Sequence, residues 1–414
     1  MPPTDRPVRL ALALALLLAG MDFHPRVAVA APPPLDLEAA QRLALARNPE
    51  LRGVALEVEA ATARLDGASL LLPDNPELNL AIGPRTVPVE VNYSLSLVQP
   101  LEIAGQRGAR IDGARAQVRV RQAHLAGRRA ALRAQVREAF GAALAAQARL
   151  DLAARAVALA QQALAAAQER YRAGAASRID VNLAHVEVGR TTRDQATARQ
   201  QVAAALGRLV LLLGLDRPGE LLLDGSLEAL PRSTSPEGAD LRAVVEGRPE
   251  VVAARGELDA ARADERLASR QAVPNLQIGV ATSREEGADV FQGLVGMALP
   301  LFNRNQAGRG LAKIRTALAE LTLAAARRCA EQEIHLAIAR LDGARGAARA
   351  LSGEVLQAAE ANVELVSEGY RAGKIELLQL LLIRREALAA RRAHLDALEE
   401  LNAAGAELER VLAR

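Results

Sequence analysis

Asn48-Pro49-Glu50 and Arg248-Pro249-Glu250 stand two hundred residues apart, and Pro100-Leu101 returns at the same offset as Pro300-Leu301. Gly108 likewise returns as Gly308, and Tyr171-Arg172-Ala173-Gly174 returns as Tyr370-Arg371-Ala372-Gly373, one residue short of that offset. Landmarks in one order at a nearly constant spacing mark an internal duplication, so whatever the first half folds into the second half must approximate. Residues 31–214 read as the first repeat and 241–414 as the second. The connecting segment 215–240 holds Pro218, Gly219, Gly225, Pro231, Pro236 and Gly238, which break regular structure. It reads as a linker, or equatorial segment.

Each repeat carries the same order of elements: short helix, helix, strand pair, very long helix, helix. The first begins with a helix near 36–47 and a second from Pro49 to about Leu72, with proline suited to the opening turn here and at Pro249. The third helix runs from about Gly105 to Arg172 without an internal proline, a reach of roughly 100 Å at 1.5 Å per residue. Its counterpart, from about Gln306 to Arg371, is expected to be equally unbroken. Helices of that length cannot fill a compact domain and must be partnered along their length. Leu144, Ala148, Leu152, Leu159 and Ala163 lie on one coiled-coil seam, and Leu381, Leu388 and Leu395 recur every seven residues. The chain has no Trp, four Phe and three Tyr, so Ala and Leu must fill these seams, which favours close helix spacing. Helices alone would describe a coiled-coil rod.

The strands argue against a rod. From Val89 to Leu97 odd positions are apolar and even positions polar, so one face meets something oily and the other meets water. The strand pair spans about 77–99 in the first repeat and about 275–299 in the second. The outward set is Leu78, Leu80, Ile82, Val89, Val91, Tyr93, Leu95 and Leu97, continued by Leu276, Ile278, Val280, Phe291, Val295 and Met297, with Leu299 in the same phase. The connections at Pro84 to Pro88 and Glu285 to Asp289 read as turns. Strands of nine to eleven residues suit a tilted crossing of an outer membrane. Four strands cannot close a membrane barrel, since about eight is the minimum, and open edges in lipid are costly, so oligomerisation is required. A trimer would supply twelve strands. Only Tyr93 and Phe291 stand where an aromatic girdle would be.

Residues 1–30 read as a secretory signal peptide: Arg6 and Arg9, an apolar run from Leu10 to Ala19, then Ala28-Val29-Ala30 as a cleavage site. No later stretch approaches eighteen uninterrupted apolar residues. A formal charge of +3 with acidic and basic residues interleaved, and no basic cluster set among stacking aromatics, speaks against nucleic-acid binding. The lone Cys329 excludes an intrachain disulfide and reads as a small buried or half-buried helix residue. His24, His124, His185, His335 and His394 are scattered without ligand spacing. No phosphate loop or nucleophile elbow occurs, so no enzyme, catalytic residue, metal site or cofactor is expected.

Taken as an ordered set, the duplicated Asn/Arg-Pro-Glu helix start, the two strand pairs, Gln99-Pro100-Leu101-Glu102-Ile103-Ala104-Gly105-Gln106-Arg107 and the two Tyr-Arg-Ala-Gly turns resemble the TolC family of outer-membrane factors. The likeness covers essentially the whole mature chain. The Pro-Leu-Glu-Ile-Ala-Gly-Gln-Arg stretch looks most like the heavy-metal branch, the cobalt-zinc-cadmium and copper-silver efflux ducts. The resemblance implies a mainly α fold with a small β part: a homotrimer whose twelve-stranded barrel in outer-membrane lipid continues into a periplasmic helical barrel. It also implies a periplasmic adaptor and an inner-membrane pump of the resistance-nodulation-division type as partners. Efflux of heavy-metal cations is the leading reading; a type I protein-secretion duct of the same fold and a periplasmic coiled-coil structural protein are the alternatives. By resemblance, the turns near 173–178 and 372–376 lie at the periplasmic tip. There Tyr171, Gly174, Ser177, Arg178, Asp180, Tyr370, Gly373, Lys374, Glu376 and Gln379 are candidates for the closing ring and adaptor docking. Family members often place acidic residues in this ring. Asp180 fits that pattern, whereas Gln379 stands at its counterpart.

Overall fold

The computed structural model describes residues 34–86, 89–216, 221–230, 241–285 and 288–412. The expected signal peptide and the linker residues Pro218, Gly219, Pro231, Pro236 and Gly238 lie outside the described residues. The first repeat comprises α1 (Leu37–Arg47), α2 (Pro49–Ala68), β1 (Glu77–Thr86), β2 (Val89–Leu101), α3 (Gln106–Arg172) and α4 (Arg178–Leu213). The second comprises α5 (Leu241–Gly247), α6 (Pro249–Arg270), β3 (Leu276–Glu285), β4 (Ala288–Met297), α7 (Gln306–Ala350), α8 (Glu354–Arg371) and α9 (Leu377–Val411).

The duplicated helix start uses different chemistry in each copy. Asn48 caps α2 by accepting from the Leu51 N–H at 3.1 Å, while its amide donates to Leu212 O at 3.1 Å, tying the head of α2 to the foot of α4. Arg248 makes no side-chain cap on α6. Its buried guanidinium reaches Ala330 O at 3.2 Å and Glu333 at 2.7 Å on α7 instead.

Helix α3 runs its 67 residues without interruption, but its counterpart does not. The expected single helix from Gln306 to Arg371 stops at Ala350 and restarts at Glu354. Gly353 sits between at φ 61°, ψ −117°, a conformation that side-chain-bearing residues avoid, so the peptide ladder cannot continue through it. Helix α2 also ends early, at Ala68 rather than near Leu72. The Ser69 hydroxyl donates to Asp66 O at 2.7 Å, and Pro73 disfavours a helical Leu72. Cys329 is exposed, not buried, because it lies off the Leu323–Ala330–Ile334 stripe that α7 turns inward.

The four strands form one antiparallel sheet in the order β1-β2-β3-β4, so the β2–β3 pairing zips the two repeats together. Both hairpins extend further than the sequence suggests. Pro84 pairs with Val91 and Glu285 with Ala288, inside stretches expected to be turns. Proline is tolerated at this position because β1 is an edge strand, where a missing donor need not break a ladder. The register carries Leu80 to Leu95, Thr282 and Phe291, and Leu78 to Leu97 and Val280. Ile82 faces Tyr93, Ile278 faces Val295, and Leu276 faces Met297. With a two-residue period these positions share one face. Most of their side chains are exposed. Val89 pairs with Thr86 at the hairpin end of β2, whereas Leu299 lies just beyond the end of β4. The opposite face carries Asn79, Asn92, Ser94, Ser96, Gln277 and Ser283.

Midway along the molecule α1, α3, α4 and α9 share the largest core, built on Leu132, Val136, Phe140, Leu209, Leu213 and Leu398. Residues 221–230 belong to it. Leu35 N–H donates to Leu222 O at 2.7 Å, Asp224 N–H to Leu35 O at 2.9 Å, and Leu227 is buried. A polar link crosses this core, with the Asn402 amide donating to Arg137 O at 3.1 Å and Arg137 donating to Asn402 Oδ1 at 3.2 Å and to Glu409. It fits because residue 141 is glycine, since a Cβ there would overlap the Asn402 amide.

Candidate functional site

The two Tyr-Arg-Ala-Gly turns end adjacent helices and fall side by side. In the first, Gly174 takes φ 73° and Ala175 N–H closes on Arg170 O at 2.8 Å. In the second, Gly373 takes φ 73° and Lys374 N–H closes on Gly369 O at 2.9 Å. Each is the left-handed glycine stop that lets a helix reverse into its partner. The following helix starts differ. Ser177 and Asp180 form a complete capping box: Asp180 N–H donates to Ser177 Oγ at 3.2 Å and Ser177 N–H donates to Asp180 Oδ2 at 2.8 Å. Glu376 occupies the same position at the second tip without a side-chain cap, and Gln379 stands exposed where the box partner would be.

The two tyrosines have separate fates. Tyr171 is 46% exposed and Tyr370 only 4%. Tyr370 lies in an apolar cluster with Ala163, Ala167, Ala184, Val366 and Leu377 under both tips. Burial pushes its phenol above the ordinary value. Arg170, which the sequence reading passed over, places its guanidinium 4.9 Å from the Tyr370 ring centre and donates to Tyr370 O at 3.0 Å. The duplication carried the clue, because the residue before the first motif is Arg170 and before the second is Gly369. Arg178 and Lys374 are exposed at the first and second tips.

Above the tips, further arginines join the hairpins. Arg384 on α9 donates to Leu159 O at 2.9 Å and to Ser367 Oγ at 3.1 Å. Burial lowers its pKa, aided by the like charge of Arg371. Glu187 on α4 receives Arg190 at 2.6 Å and Arg385 of α9 at 2.7 Å. Burial alone would raise that carboxyl, but the two guanidinium hydrogen bonds outweigh it and its pKa falls below the ordinary value. Seven residues further along both helices, Asp194 receives Arg193 at 2.7 Å and Arg392 at 3.4 Å. Its pKa is lowered too, since those bonds overcome its own desolvation. Beside the Glu187 clamp a groove of about 420 Å³ opens among α3, α4, α8 and α9, with Arg155, Val363 and Leu388 on its walls.

The sheet and the tips are therefore separated by the length of the long helices, and none of the candidate tip residues approaches the strands. Among the described residues no group of three or more His, Cys, Asp or Glu is placed to hold a metal ion. No described helix is long and apolar enough to cross a membrane.

The profile of the family described as "Outer membrane efflux protein" matches residues 41–215 and 241–414, one segment in each repeat. The cobalt-zinc-cadmium resistance protein CzcC of Cupriavidus metallidurans is 32% identical over 389 residues, covering 92% of this chain and 90% of that protein. The nickel-cobalt-cadmium resistance protein NccC of Alcaligenes xylosoxydans xylosoxydans is 28% identical over 75% of this chain and 70% of its own length. The open-state structure of the MtrE outer membrane channel of Neisseria gonorrhoeae superposes with a TM-score of 0.78 at 21% identity, covering 91% of this chain and 88% of that one.

Proposed function

The chain belongs to the outer membrane efflux protein family, and from that premise we propose that three copies close one passive duct that carries heavy-metal cations out of the cell. The observation that carries this reading is the sheet. It has an even number of antiparallel strands, one face apolar and exposed, and two free edges, β1 and β4, that run in opposite directions. Strand β4 of one copy can therefore pair antiparallel with β1 of the next. Unpaired backbone groups in lipid cost several kcal/mol each, so closure is strongly favoured. One copy's four strands cannot close and two copies' eight are the bare minimum for a barrel, whereas three copies' twelve leave the helices room to line a lumen.

The helices support the same ring. Within one copy α3 packs between α2 and α6, and α6 packs between α3 and α7. The outer side of α7 exposes Leu311, Ile314, Leu318 and Leu321 at steps of three, four and three, a coiled-coil seam without a partner in the protomer. The duplication calls for the next copy's α2 at that place. The tips would then meet at the periplasmic end, where Arg170–Tyr370 and the Glu187 and Asp194 clamps hold the hairpins together until a periplasmic adaptor spreads them.

An inner-membrane pump of the resistance-nodulation-division type supplies the energy in this scheme, and the duct performs no chemistry. Metal cations are the cargo that the names of the relatives CzcC and NccC suggest. The test is a deletion strain plated on cobalt, zinc and cadmium salts. Metal sensitivity cured by this gene supports the cargo; unchanged metal tolerance with new sensitivity to organic compounds would assign the duct to a different pump.

A further inference from the structure

Resting on the channel reading above, we propose that an apolar collar below the sheet, centred on Phe302, seats the protein in the phospholipid leaflet facing the periplasm. The strands hold only Tyr93 and Phe291 as aromatics, too few for the girdles that fix barrels at an interface. The missing anchors lie just outside the strands. Leu70, Leu71 and Leu72 precede β1, Ile103 follows β2, and Leu299, Leu301 and Phe302 follow β4; all are exposed, Phe302 by 90%.

The register places these segments at one level. Leu101, Leu276 and Met297 pair across the sheet at its helix end. The chain on either side is cross-tied there: Gln99 donates to Asp74 O at 2.9 Å, Arg107 to Ser69 O at 2.7 Å, Gln106 to Val273 O at 3.4 Å and Arg270 to Gly105 O. Leu301 N–H closes on Leu299 O at 2.9 Å, a tight bend that keeps Phe302 near the end of β4. Ten residues at about 3.3 Å each, tilted by about 40°, rise roughly 25 Å, the height of an outer-membrane apolar band. The collar therefore begins where the hydrocarbon ends.

Its charges fit the same partner. Arg107, Arg304 and Arg309 are exposed around the collar. Arg107 and Arg304 spend donors on the neutral carbonyls of Ser69 and Pro300, and a guanidinium keeps further donors for a phosphate. Of the carboxylates at this level, Glu102 is already paired with Arg110, and the exposed Asp74 and Glu77 at the head of β1 are outnumbered by the three exposed arginines. Apolar side chains with a surplus of arginine match a layer of acyl-chain ends and phosphates. A second copy of the chain would not need that surplus of charge.

The chain contains no Trp, so a single introduced one reports without background. Phe302→Trp and, separately, Leu80→Trp in mid-strand would be reconstituted as full-length protein into phosphatidylethanolamine–phosphatidylglycerol vesicles. The acyl chains would carry bromine either near the headgroup or near the chain end. The collar predicts that Phe302→Trp is quenched most by the headgroup-proximal label, and Leu80→Trp most by the deep one. If Leu80→Trp is quenched and Phe302→Trp is untouched by both labels, protein or water covers Phe302, and the collar is wrong while the channel stands. Stronger quenching of Phe302→Trp by the deep label also overturns it. If neither tryptophan is quenched, the membrane barrel fails and the collar with it. Leu301→Trp repeats the test should Phe302→Trp not assemble.

Discussion

Single residues decide how closely the long helices approach. Gly141 admits the Asn402–Arg137 link at the centre of the molecule, and Gly141→Ala forces overpacking there. A loss of about 1–3 kcal/mol is expected, read as a lower Tm with unchanged secondary structure. Glu187 shows how a charge acts at the tips. Its folded pKa is depressed, so its contribution is present at neutral pH and fades as pH falls through that depressed value. Glu187→Gln removes the charge at every pH, at a cost of about 1.5–3 kcal/mol for hydrogen bonds to a charged group. The Tm curves of the two proteins should therefore differ at neutral pH and converge in acid. A constant difference down to low pH would mean that Glu187 acts by shape and not by charge. Arg170 teaches the corresponding lesson about legibility. A search for repeated residues finds what the copies share, but the Tyr370 contact depends on where they diverge.

At the level of elements, alternation made the strands and their apolar face legible, because a two-residue period leaves little freedom of phase. Ile82→Arg, on that face, should cost about 2–4 kcal/mol per copy if the side chain lies near the bilayer midplane. Ile179→Arg, equally exposed but beside the first tip, should cost little. Assembly of both variants on unheated gels distinguishes them, and equal behaviour would remove the lipid-facing assignment. The break before α8 was not legible. Gly113, Gly127, Gly189, Gly207, Gly343 and Gly346 all lie within helices, so a glycine in an alanine-rich run does not by itself signal a stop. What separates Gly353 is its positive φ, a property of the path and not of composition. Gly353→Ala should lower the Tm, with a penalty of about 1–2 kcal/mol for the left-handed φ. Gly343→Ala, which meets nothing within contact distance, should leave it unchanged or raise it. The two tips were legible as turns from Gly174 and Gly373; the burial of Tyr370 and the arginine clamps needed the tertiary packing.

On the scale of the whole molecule, the protomer leaves open a sheet with two free edges that run in opposite directions, an apolar seam on α7, and the paired tips at the far end of α3, a helix of 67 residues and so about 100 Å long. A chain folding alone would bury these; this one leaves them exposed while packing its equatorial core tightly around Phe140. The family places the protein in the outer membrane, and closure by three copies is the claim that turns a half-open sheet into a duct. The most direct test is native mass spectrometry of the protein extracted from outer membranes in mild detergent. A closed duct predicts a particle of three chains that dissociates to single chains only on heating. A stable monomer or dimer that conducts no current in a planar bilayer would contradict it.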